Sequence, residues 1–499
     1  MVDLDAVVEA GGRPIAQIFS EDGEAAFREL ERRALLAAVD GPPAVVVGGG
    51  GALLSPEARQ AARSAGTVAC LVVGPETAAD RCRGSGRPLL SGDPVARLTA
   101  LLEARAAAYA TADVRVETDG LTPHEVAERL AGTLRGGRSL DVALSAARYT
   151  VELRTEDAFE RVEERASRYR RRVVVSDRRV ASLYGEALAR RLGAQLVVFP
   201  GGERTKTPST VTALHRAFAS ETLGRRDLVV ALGGGIVGDV AGYAASTWLR
   251  GVDVLQVPTT LLAQVDSSVG GKTGVNLDRV KNAVGTFHHP VGVIAPLHTL
   301  ETLPRRQLRA GLAELVKHGF IADPGLVAAC RRVRSGAPLE LLDLIRSSVE
   351  VKRRIVVEDE REQHRRKVLN FGHTFGHAIE AESRGRVLHG EAVALGMVLE
   401  CRLGVALGIT PKAVAEEVTE TLRALGLPHR PDDWLARDLG RWLVADKKRV
   451  HDVIDVALPT RIGVVDYFPV PLDTIGLFAR GADLRTASGA TGIAPRMGS

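Results

Sequence analysis

Three histidines in two short clusters are the residues of this chain best suited to bind a metal. His373 and His377 stand four residues apart beside glycines, and His389 directly precedes Gly390. Upstream, Glu314 adds a carboxylate. Catalytic zinc sites use three such ligands and leave a fourth position for water or a substrate oxygen. The set predicts an open metal centre; histidines that are only buried or cap helices are the alternative.

A glycine-rich turn predicts a nucleotide site. The apolar run at residues 228–232 predicts a strand that leads into Gly233-Gly234-Gly235 and then into a helix. Such a turn brings backbone N–H groups close to a pyrophosphate, although the spacing is not G-x-G-x-x-G and a plain tight turn is the alternative. Two further loops follow predicted strands, at the edge where open α/β sheets bind ligands; their polar residues are Glu203, Lys206, Thr259 and Thr260.

A polar stretch at residues 266–276 predicts an anion pocket. Its carboxylate, lysine and amides form one mobile loop that suits a polyhydroxylated anion, with an exposed flexible loop as the alternative. Most of the arginine cluster at 361–366 is expected to be a solvated face, and exposed lysines are the alternative for 447–448. The candidate anion ligands are Asp266, Lys272, Lys281, Asn282, Lys352, Arg366 and Lys447.

Composition favours a multidomain cytosolic enzyme. The 499 residues suggest two or three domains, and the net charge of +5 is scattered among acids, so nucleic-acid binding is not indicated. The first ten residues do not form a signal peptide, and no apolar run approaches the roughly 18 residues that span a membrane. The four cysteines are far apart and are expected to be reduced thiols.

Secondary-structure patterns divide the chain into three regions and a tail. Short strands alternating with helices predict a parallel α/β sheet in residues 1–137 and a doubly wound sheet in 140–304. Residues 305–478 read as mostly helical, with strand character returning near 452–467. Residues 479–499 are rich in Gly, Ala and Ser and are expected to be disordered.

Together these segments resemble 3-dehydroquinate synthase, an early enzyme of aromatic amino-acid biosynthesis. The resemblance covers about residues 149–475 and rests on ordered motifs at 233–239, 257–263, 266–276, 313–317, 370–377 and 389–392. It implies an α/β fold in which an NAD-binding doubly wound domain precedes a mostly helical metal-binding domain, and it implies a homodimer. His318 departs from the pattern, because relatives often have an aromatic residue there.

The resemblance also implies a role for each matching residue. The divalent metal, usually zinc but also cobalt, would be bound by Glu314, His373 and His389. NAD would be contacted by Asp177, Glu203, Lys206, Gly234, Gly235, Asp239, Thr259, Thr260, Lys272, Lys281 and Thr302. The substrate, a sugar-acid phosphate, would be held by Asp266, Lys272, Lys281, Asn282, Lys317, Lys352, Arg366, His377 and Lys447.

The implied reaction converts 3-deoxy-D-arabino-heptulosonate 7-phosphate into 3-dehydroquinate and phosphate. NAD removes a hydride at C5, phosphate is eliminated, the hydride returns to C5, and the ring opens and closes by an intramolecular aldol step. The metal would act as a Lewis acid on the C4 and C5 oxygens. Another sugar-phosphate cyclase or a metal-dependent polyol dehydrogenase is the alternative, and a non-catalytic scaffold is a more remote one.

The first 137 residues resemble part of shikimate kinase. The matching segments are 3–5, 27–31, 49–51 and 87–90, together with Arg105 and Tyr109. The P-loop G-x-x-x-x-G-K-[ST] is absent from the sequence, so the β- and γ-phosphates of ATP have no backbone cradle and kinase activity is not expected. Either the start lies upstream of Met1, which is the favoured interpretation, or the module is degenerate.

Overall fold

The structure is a computed structural model in which the chain forms two compact units, residues 1–134 and 135–499. It describes residues 1–480 apart from 42–43, 84–92, 110, 113, 128–129, 131–137, 146, 156–157, 279, 334–337, 436, 438, 440–441, 443–448 and 451–452. The segments predicted at 87–90, at Lys447 and from 481 onward therefore lie outside the described residues.

The first unit contains two short parallel strand pairs and six described helices. Strand β1 (Val2–Asp3) pairs with β2 (Val46–Val47), and β3 (Ala69–Val72) pairs with β4 (Val114–Glu117). The helices are Leu4–Glu9, Ile15–Glu21, Gly23–Val39, Pro56–Ala65, Pro75–Arg81 and Pro94–Tyr109. The parallel pairing agrees with the predicted α/β class. Of residues 3–5, which match a shikimate kinase segment, only Asp3 lies in the strand, because the Asp3 carboxylate accepts from Asp5 N–H at 3.0 Å and starts a helix.

The second unit begins with a seven-stranded sheet. Its order is β5-β6-β13-β10-β9-β7-β8, and all described pairs are parallel except β5 with β6. Strand β9 is buried along its whole length, as expected for a central strand covered on both faces. The strands are β5 (Arg138–Ala143), β6 (Arg148–Arg154), β7 (Arg172–Asp177), β8 (Gln195–Phe199), β9 (Leu228–Gly233), β10 (Asp253–Pro258) and β13 (Gly292–Pro296).

Helices cover both faces of this sheet, which confirms the predicted doubly wound architecture. Two separate apolar clusters bury the opposite faces, one around Phe218 and Val240 and the other around Val162 and Leu188. The α-helices are Ala158–Ala166, Arg178–Val180, Glu186–Leu192, Pro208–Ser220 and Gly235–Thr247. Single turns of other helix types lie at Ala181–Gly185, Glu203–Thr205, Trp248–Arg250, Ala263–Ser267 and Leu297–Thr302.

The segment predicted as a mobile loop at 266–276 is instead ordered. After the turn Ala263–Ser267, strand β11 (Lys272–Leu277) pairs antiparallel with β12 (Val280–Phe287). Gly270 and Gly271, with φ of +103° and +67°, make the sharp turn into the hairpin. Asp266 therefore lies in the turn, and Lys272 is presented from the hairpin.

The remainder of the second unit is mostly helical, as predicted, with a small antiparallel sheet. Its helices are Arg305–Ala322, Pro324–Cys330, Pro338–Glu358, His373–Ser383, His389–Ala406, Lys412–Ala424, Asp432–Leu435 and Leu472–Ala479, with a 3-10 segment at Arg365–Asn370. The sheet order is β14 (Arg449–Val450), β15 (Val453–Arg461) and β16 (Val464–Pro471). The prediction that disorder begins at residue 479 is wrong for that residue, because Ala479 is buried and ends a helix. Among the described helices, none combines the length and apolar character needed to cross a membrane.

Candidate active site

Three helices bring the predicted metal ligands together. Glu314 lies in the buried part of the helix Arg305–Ala322, whereas His373 and His389 each begin a helix. Their ligand atoms lie within 4.8 Å of one another. Glu314 Oε1 is 3.5 Å from His373 Nε2 and 3.3 Å from His389 Nε2. Three N and O donors at such separations fit a divalent cation with an open coordination position.

The burial of Glu314 supports this assignment. Its side chain is 0% exposed, and its Oε1, which faces the two histidines, has no hydrogen-bond partner among the described residues. Burial opposes ionisation, but Lys317 and His389 outweigh it and hold the pKa of Glu314 below its usual value. A buried carboxylate needs compensating positive charge. Lys317, which was predicted to hold substrate, forms an ion pair with Glu314 and donates to the Leu369 carbonyl at 2.8 Å. It therefore also stabilises the ionised carboxylate of the metal cluster.

Two carboxylates that the sequence did not reveal support the histidines. Glu380 lies 3.3 Å from His389 Nδ1 and 2.7 Å from Lys281 Nζ. Glu400, fully buried, accepts from the backbone N–H groups of Gly372 and Thr374 at 2.6 and 2.8 Å. The first contact directs His389 Nε2 toward Glu314, and the second caps the helix that begins at His373.

His377 stands beside the same centre. Its ring centroid is 5.2 Å from that of His373 and 6.2 Å from that of His389. A second group of close ligand atoms combines His377, Glu380 and His389. Because one turn of helix separates His377 from His373, both imidazoles face the same cavity. This placement is compatible with the predicted contact between His377 and substrate.

Lys206 joins the predicted NAD loops to the hairpin. It is 5% exposed, and its Nζ donates to Asp239 Oδ2 and Asn282 Oδ1, both at 2.5 Å. Glu203 accepts from Asn276 Nδ2 at 2.8 Å, so it too contacts the hairpin. Burial raises the pKa of Asp239, although Lys206 opposes the shift. The nucleotide residues are thus linked by direct contacts to the predicted substrate residues.

The glycine turn packs closely against neighbouring side chains. A Cβ on Gly234 would lie 3.1 Å from the Thr260 methyl carbon, and one on Gly235 would lie 2.9 Å from Ser267 Oγ. Glycine is therefore required here, at the N-terminus of the helix Gly235–Thr247, where backbone N–H groups favour an anion. Thr259 is buried, and its hydroxyl has no partner among the described residues. These features fit a dinucleotide phosphate.

Two further predicted NAD contacts, Asp177 and Thr302, lie outside these loops. Asp177 ends β7, and its Oδ1 accepts from Arg179 and Val180 N–H at 2.9 and 3.0 Å, so one carboxylate oxygen is engaged as a helix cap. Thr302 Oγ1 is 2.7 Å from Tyr184 OH. Tyr184 was not selected from the sequence.

The predicted anion ligands surround the turn before the hairpin. Lys352 Nζ donates to Asp266 Oδ1 and to its carbonyl oxygen, both at 2.5 Å. Burial opposes ionisation, but Lys352 and Lys317 hold the pKa of Asp266 far below its usual value. Lys272 pairs with Glu362, which also accepts from Asn370 Nδ2 at 3.2 Å. Neither Glu362 nor Asn370 was selected from the sequence.

Arg366, selected from the sequence as an anion ligand, is buried. Its side chain is 2% exposed and donates to the carbonyls of Glu360 and Gly270 at 2.5 and 3.1 Å. Burial lowers its pKa, although Glu362 and Asp266 oppose this. Its neighbour Arg365 is 37% exposed. A guanidinium held by carbonyls rather than by a direct carboxylate pair keeps positive charge available for an anionic ligand.

Comparison with known proteins identifies the family. Residues 196–310 match the family model described as 3-dehydroquinate synthase N-terminal, and residues 311–449 match the one described as 3-dehydroquinate synthase C-terminal. A 3-dehydroquinate synthase of Streptococcus pneumoniae (strain JJA) is 43% identical over 311 residues, which cover 60% of this chain and 87% of the relative. The chain belongs to the 3-dehydroquinate synthase family. The protein of strain Hungary19A-6 gives the same identity and coverage.

Two solved structures similar to this member of the 3-dehydroquinate synthase family contain NAD⁺ and a divalent metal ion. A 2-deoxy-scyllo-inosose synthase complexed with carbaglucose-6-phosphate, NAD⁺ and Co²⁺ superposes with a TM-score of 0.61 and 27% identity, covering 69% of this chain and all of the other. A 2-epi-5-epi-valiolone synthase from Streptomyces hygroscopicus subsp. jinggangensis 5008, with NAD⁺ and Zn²⁺ bound, superposes with a TM-score of 0.59 and 30% identity. The match covers 68% of this chain and 98% of the other.

The same chain carries a shikimate kinase domain, since residues 1–135 match that family model. Within the first unit, Tyr109 OH donates to the Gly50 carbonyl at 2.7 Å, and Arg28 Nη1 donates to Glu31 at 2.7 Å. A Cβ on Gly50 would lie 3.4 Å from Arg105 Nη1, and one on Gly51 would overlap Arg28. The segments selected from the sequence at 27–31, 49–51 and 105–109 therefore form one cluster.

We expect Glu380→Gln to weaken divalent-metal binding by about 10–100-fold. The substitution keeps the size of the side chain but replaces the anionic partner of His389 Nδ1 and Lys281 Nζ. Competition with a fluorescent chelator would measure the affinity. Glu382→Gln, two residues away in the same helix, is the control and should leave the affinity unchanged. Equal affinities of Glu380→Gln and wild type would contradict the supporting role.

Proposed function

We propose that the second unit is a 3-dehydroquinate synthase, a phosphate-eliminating carbon–oxygen lyase that uses NAD and one divalent metal, zinc or cobalt. Its substrate would be 3-deoxy-D-arabino-heptulosonate 7-phosphate and its products 3-dehydroquinate and phosphate. The observation that carries the proposal is a series of contacts that joins the predicted NAD residues to the predicted metal ligands. Lys206, which pairs with Asp239, donates to Asn282. The adjacent Lys281 pairs with Glu380, which in turn contacts His389. We also propose that the active species is a homodimer.

The charge and type of each side chain indicate its role in the proposed reaction. Glu314, His373 and His389 would hold the metal, which when bound supplies Lewis acidity toward substrate oxygens. Lys272, Lys352 and Arg366 would fix the phosphate and carboxylate groups, and this positioning lowers the entropic barrier of each step. Asp266, ionised beside Lys352, would accept hydrogen bonds from substrate hydroxyls. The contact with Lys447 stays a prediction.

A net dehydrogenase is the second candidate, because its reaction would use the same NAD and metal residues. Several cationic side chains around the hairpin favour an acid-phosphate substrate instead: Lys272, Lys281, Lys317, Lys352 and Arg366. Phosphoryl transfer by the first unit is not part of the proposal, because the sequence contains no G-x-x-x-x-G-K-[ST] loop.

Phosphate release from the heptulosonate phosphate tests the proposal. The protein is assayed with NAD added or omitted, and before and after treatment with a chelator. We expect release to require both NAD and metal, to return when metal is restored, and to leave no net NADH. No release from folded, metal-loaded protein would refute the proposed substrate, and accumulation of NADH on polyols would favour the dehydrogenase.

The charge of Lys272 predicts a dependence on pH. Desolvation of its ammonium group and the nearby Arg366 outweigh Glu362 and lower the pKa of Lys272 to about 8. A lysine is cationic below its pKa, so this charge is lost as pH rises through that value. We expect KM for the sugar phosphate to rise about 3–10-fold from about pH 7 to about pH 9. Lys272→Met should have a higher KM that changes less between about pH 7 and about pH 9. If KM of the variant rose as steeply as that of wild type, another group would be responsible for the pH dependence.

A further inference from the structure

A fully buried imidazole with one unpaired nitrogen borders the candidate site. His318 is 0% exposed, and its Nδ1 lies 2.7 Å from Ser348 Oγ. Its Nε2 has no hydrogen-bond partner in the part of the chain that the structure describes. The nearest charged acceptor is Asp266, whose Oδ1 is 3.8 Å away, beyond hydrogen-bond distance. A buried polar atom without a partner destabilises a fold, so a partner is expected in another state of the site.

The neighbouring elements indicate which partner this is. Asp266 lies in the single turn Ala263–Ser267, between the helix that carries His318 and the helix that carries Ser348 and Lys352. Lys352 holds one carboxylate oxygen and the backbone carbonyl of Asp266. A movement of about 1 Å would bring the carboxylate within hydrogen-bond distance of Nε2. If Ser348 donates to Nδ1, the ring proton of neutral His318 lies on Nε2 and faces that carboxylate.

We propose that His318 is a positioning residue that donates from Nε2 to Asp266 when substrate is bound, with Ser348 fixing the orientation and tautomer of the ring. The inference rests on the proposed function, because it takes Asp266 as a substrate contact. The carboxylate is then held from two sides, by Lys352 and by His318. In the absence of substrate, the unpaired nitrogen is a cost to stability that the active site tolerates.

A second metal position is the competing interpretation of these residues. Ligand atoms of Asp266, Glu314 and His318 also lie within 4.8 Å of one another. However, the ammonium groups of Lys352 and Lys317 already pair with the two carboxylates. Lys352 would repel a cation at Asp266, and Glu314 already belongs to the cluster with His373 and His389, so the group is better suited to orient a carboxylate than to bind a second ion.

His318→Phe tests the inference, because it keeps a ring of similar size and removes both nitrogens. With wild type measured in parallel, we expect kcat/KM for the heptulosonate phosphate to fall about 10–100-fold, as for loss of a hydrogen bond to a charged group. Metal stoichiometry should stay at one per chain, and the affinities for metal and NAD should be unchanged. The thermal midpoint should equal or exceed that of wild type, because the unpaired donor is gone.

Two companion variants separate positioning from packing. His318→Gln keeps an N–H group in the cavity and should recover kcat/KM to within about threefold of wild type. Ser348→Ala leaves the ring unfixed and should cause a smaller loss in the same direction.

The outcomes distinguish this inference from the proposed function. Unchanged kcat/KM in folded His318→Phe, or a metal stoichiometry of two in wild type, would overturn the inference alone. Parallel losses of stability and activity in both His318 variants would make His318 a packing residue. An inactive wild type would refute the proposed function, and this role of His318 with it.

Discussion

Glu314→Gln is expected to abolish metal binding and to lower turnover by on the order of 10³-fold. The amide keeps the shape of the side chain but removes the only anionic ligand of the three, and it leaves Lys317 without its carboxylate partner. Metal content by mass spectrometry and phosphate release by a coupled assay are the two measurements. Metal content and turnover should fall together, since the Glu314 carboxylate binds the metal on which turnover depends.

A matched control and a second ligand variant make this result interpretable. Glu350→Gln changes a carboxylate that pairs with Arg353 outside the metal cluster and should keep both metal and turnover. His373→Asn removes a different ligand and should reproduce the loss even if Glu314→Gln is unstable. Full metal content and wild-type turnover in either ligand variant would show that the cluster is not the catalytic metal centre.

Arg366→Met should lower kcat/KM about 10²–10³-fold and lower the free energy of unfolding by about 1–3 kcal/mol. The loss follows because a buried guanidinium is removed from the side of the site where an anion would bind. Stability should fall moderately, because the carbonyls of Glu360 and Gly270 lose their donor, while methionine fills similar space and avoids the cost of burying a charge. Steady-state kinetics and urea denaturation measure the two effects.

Arg365→Met is the neighbouring control. That side chain is 37% exposed and lies 3.5 Å from Asp466, so its loss should alter kcat/KM by less than about twofold. A similar kinetic loss in both variants would indicate a general effect of net charge. A large loss of stability in Arg366→Met, with the remaining folded protein fully active, would make Arg366 a structural residue.

The sequence predicted the architecture and the principal side chains for identifiable physical reasons. A strand such as β9, apolar at nearly every position, predicts a parallel strand covered on both faces, and the structure places it in the middle of the sheet. The helical spacing of His373 and His377 likewise placed both rings on one face of a helix.

The missed residues are those whose role depends on contacts between distant segments. Glu380 and Glu400 lie on regular helices and look like ordinary helix residues in the sequence; only the packing of these two helices brings them to His389 and to the backbone at Gly372. Arg366 is buried although most of a run of arginines is usually solvated, because its guanidinium packs against Gly270, where a Cβ would lie 2.3 Å from Nη2. The hairpin β11–β12 was missed because its glycines resemble those of a loop.

Turnover of substrate labelled with deuterium at C5 tests the central claim most directly, namely that one site oxidises and then reduces the same carbon. The metal-loaded protein is incubated with the labelled heptulosonate phosphate and NAD, and the product is analysed by mass spectrometry and NMR. We expect one phosphate per 3-dehydroquinate, full retention of deuterium at the carbon derived from C5, and no net NADH. Loss of the label, or NADH accumulating in step with product, would contradict the account.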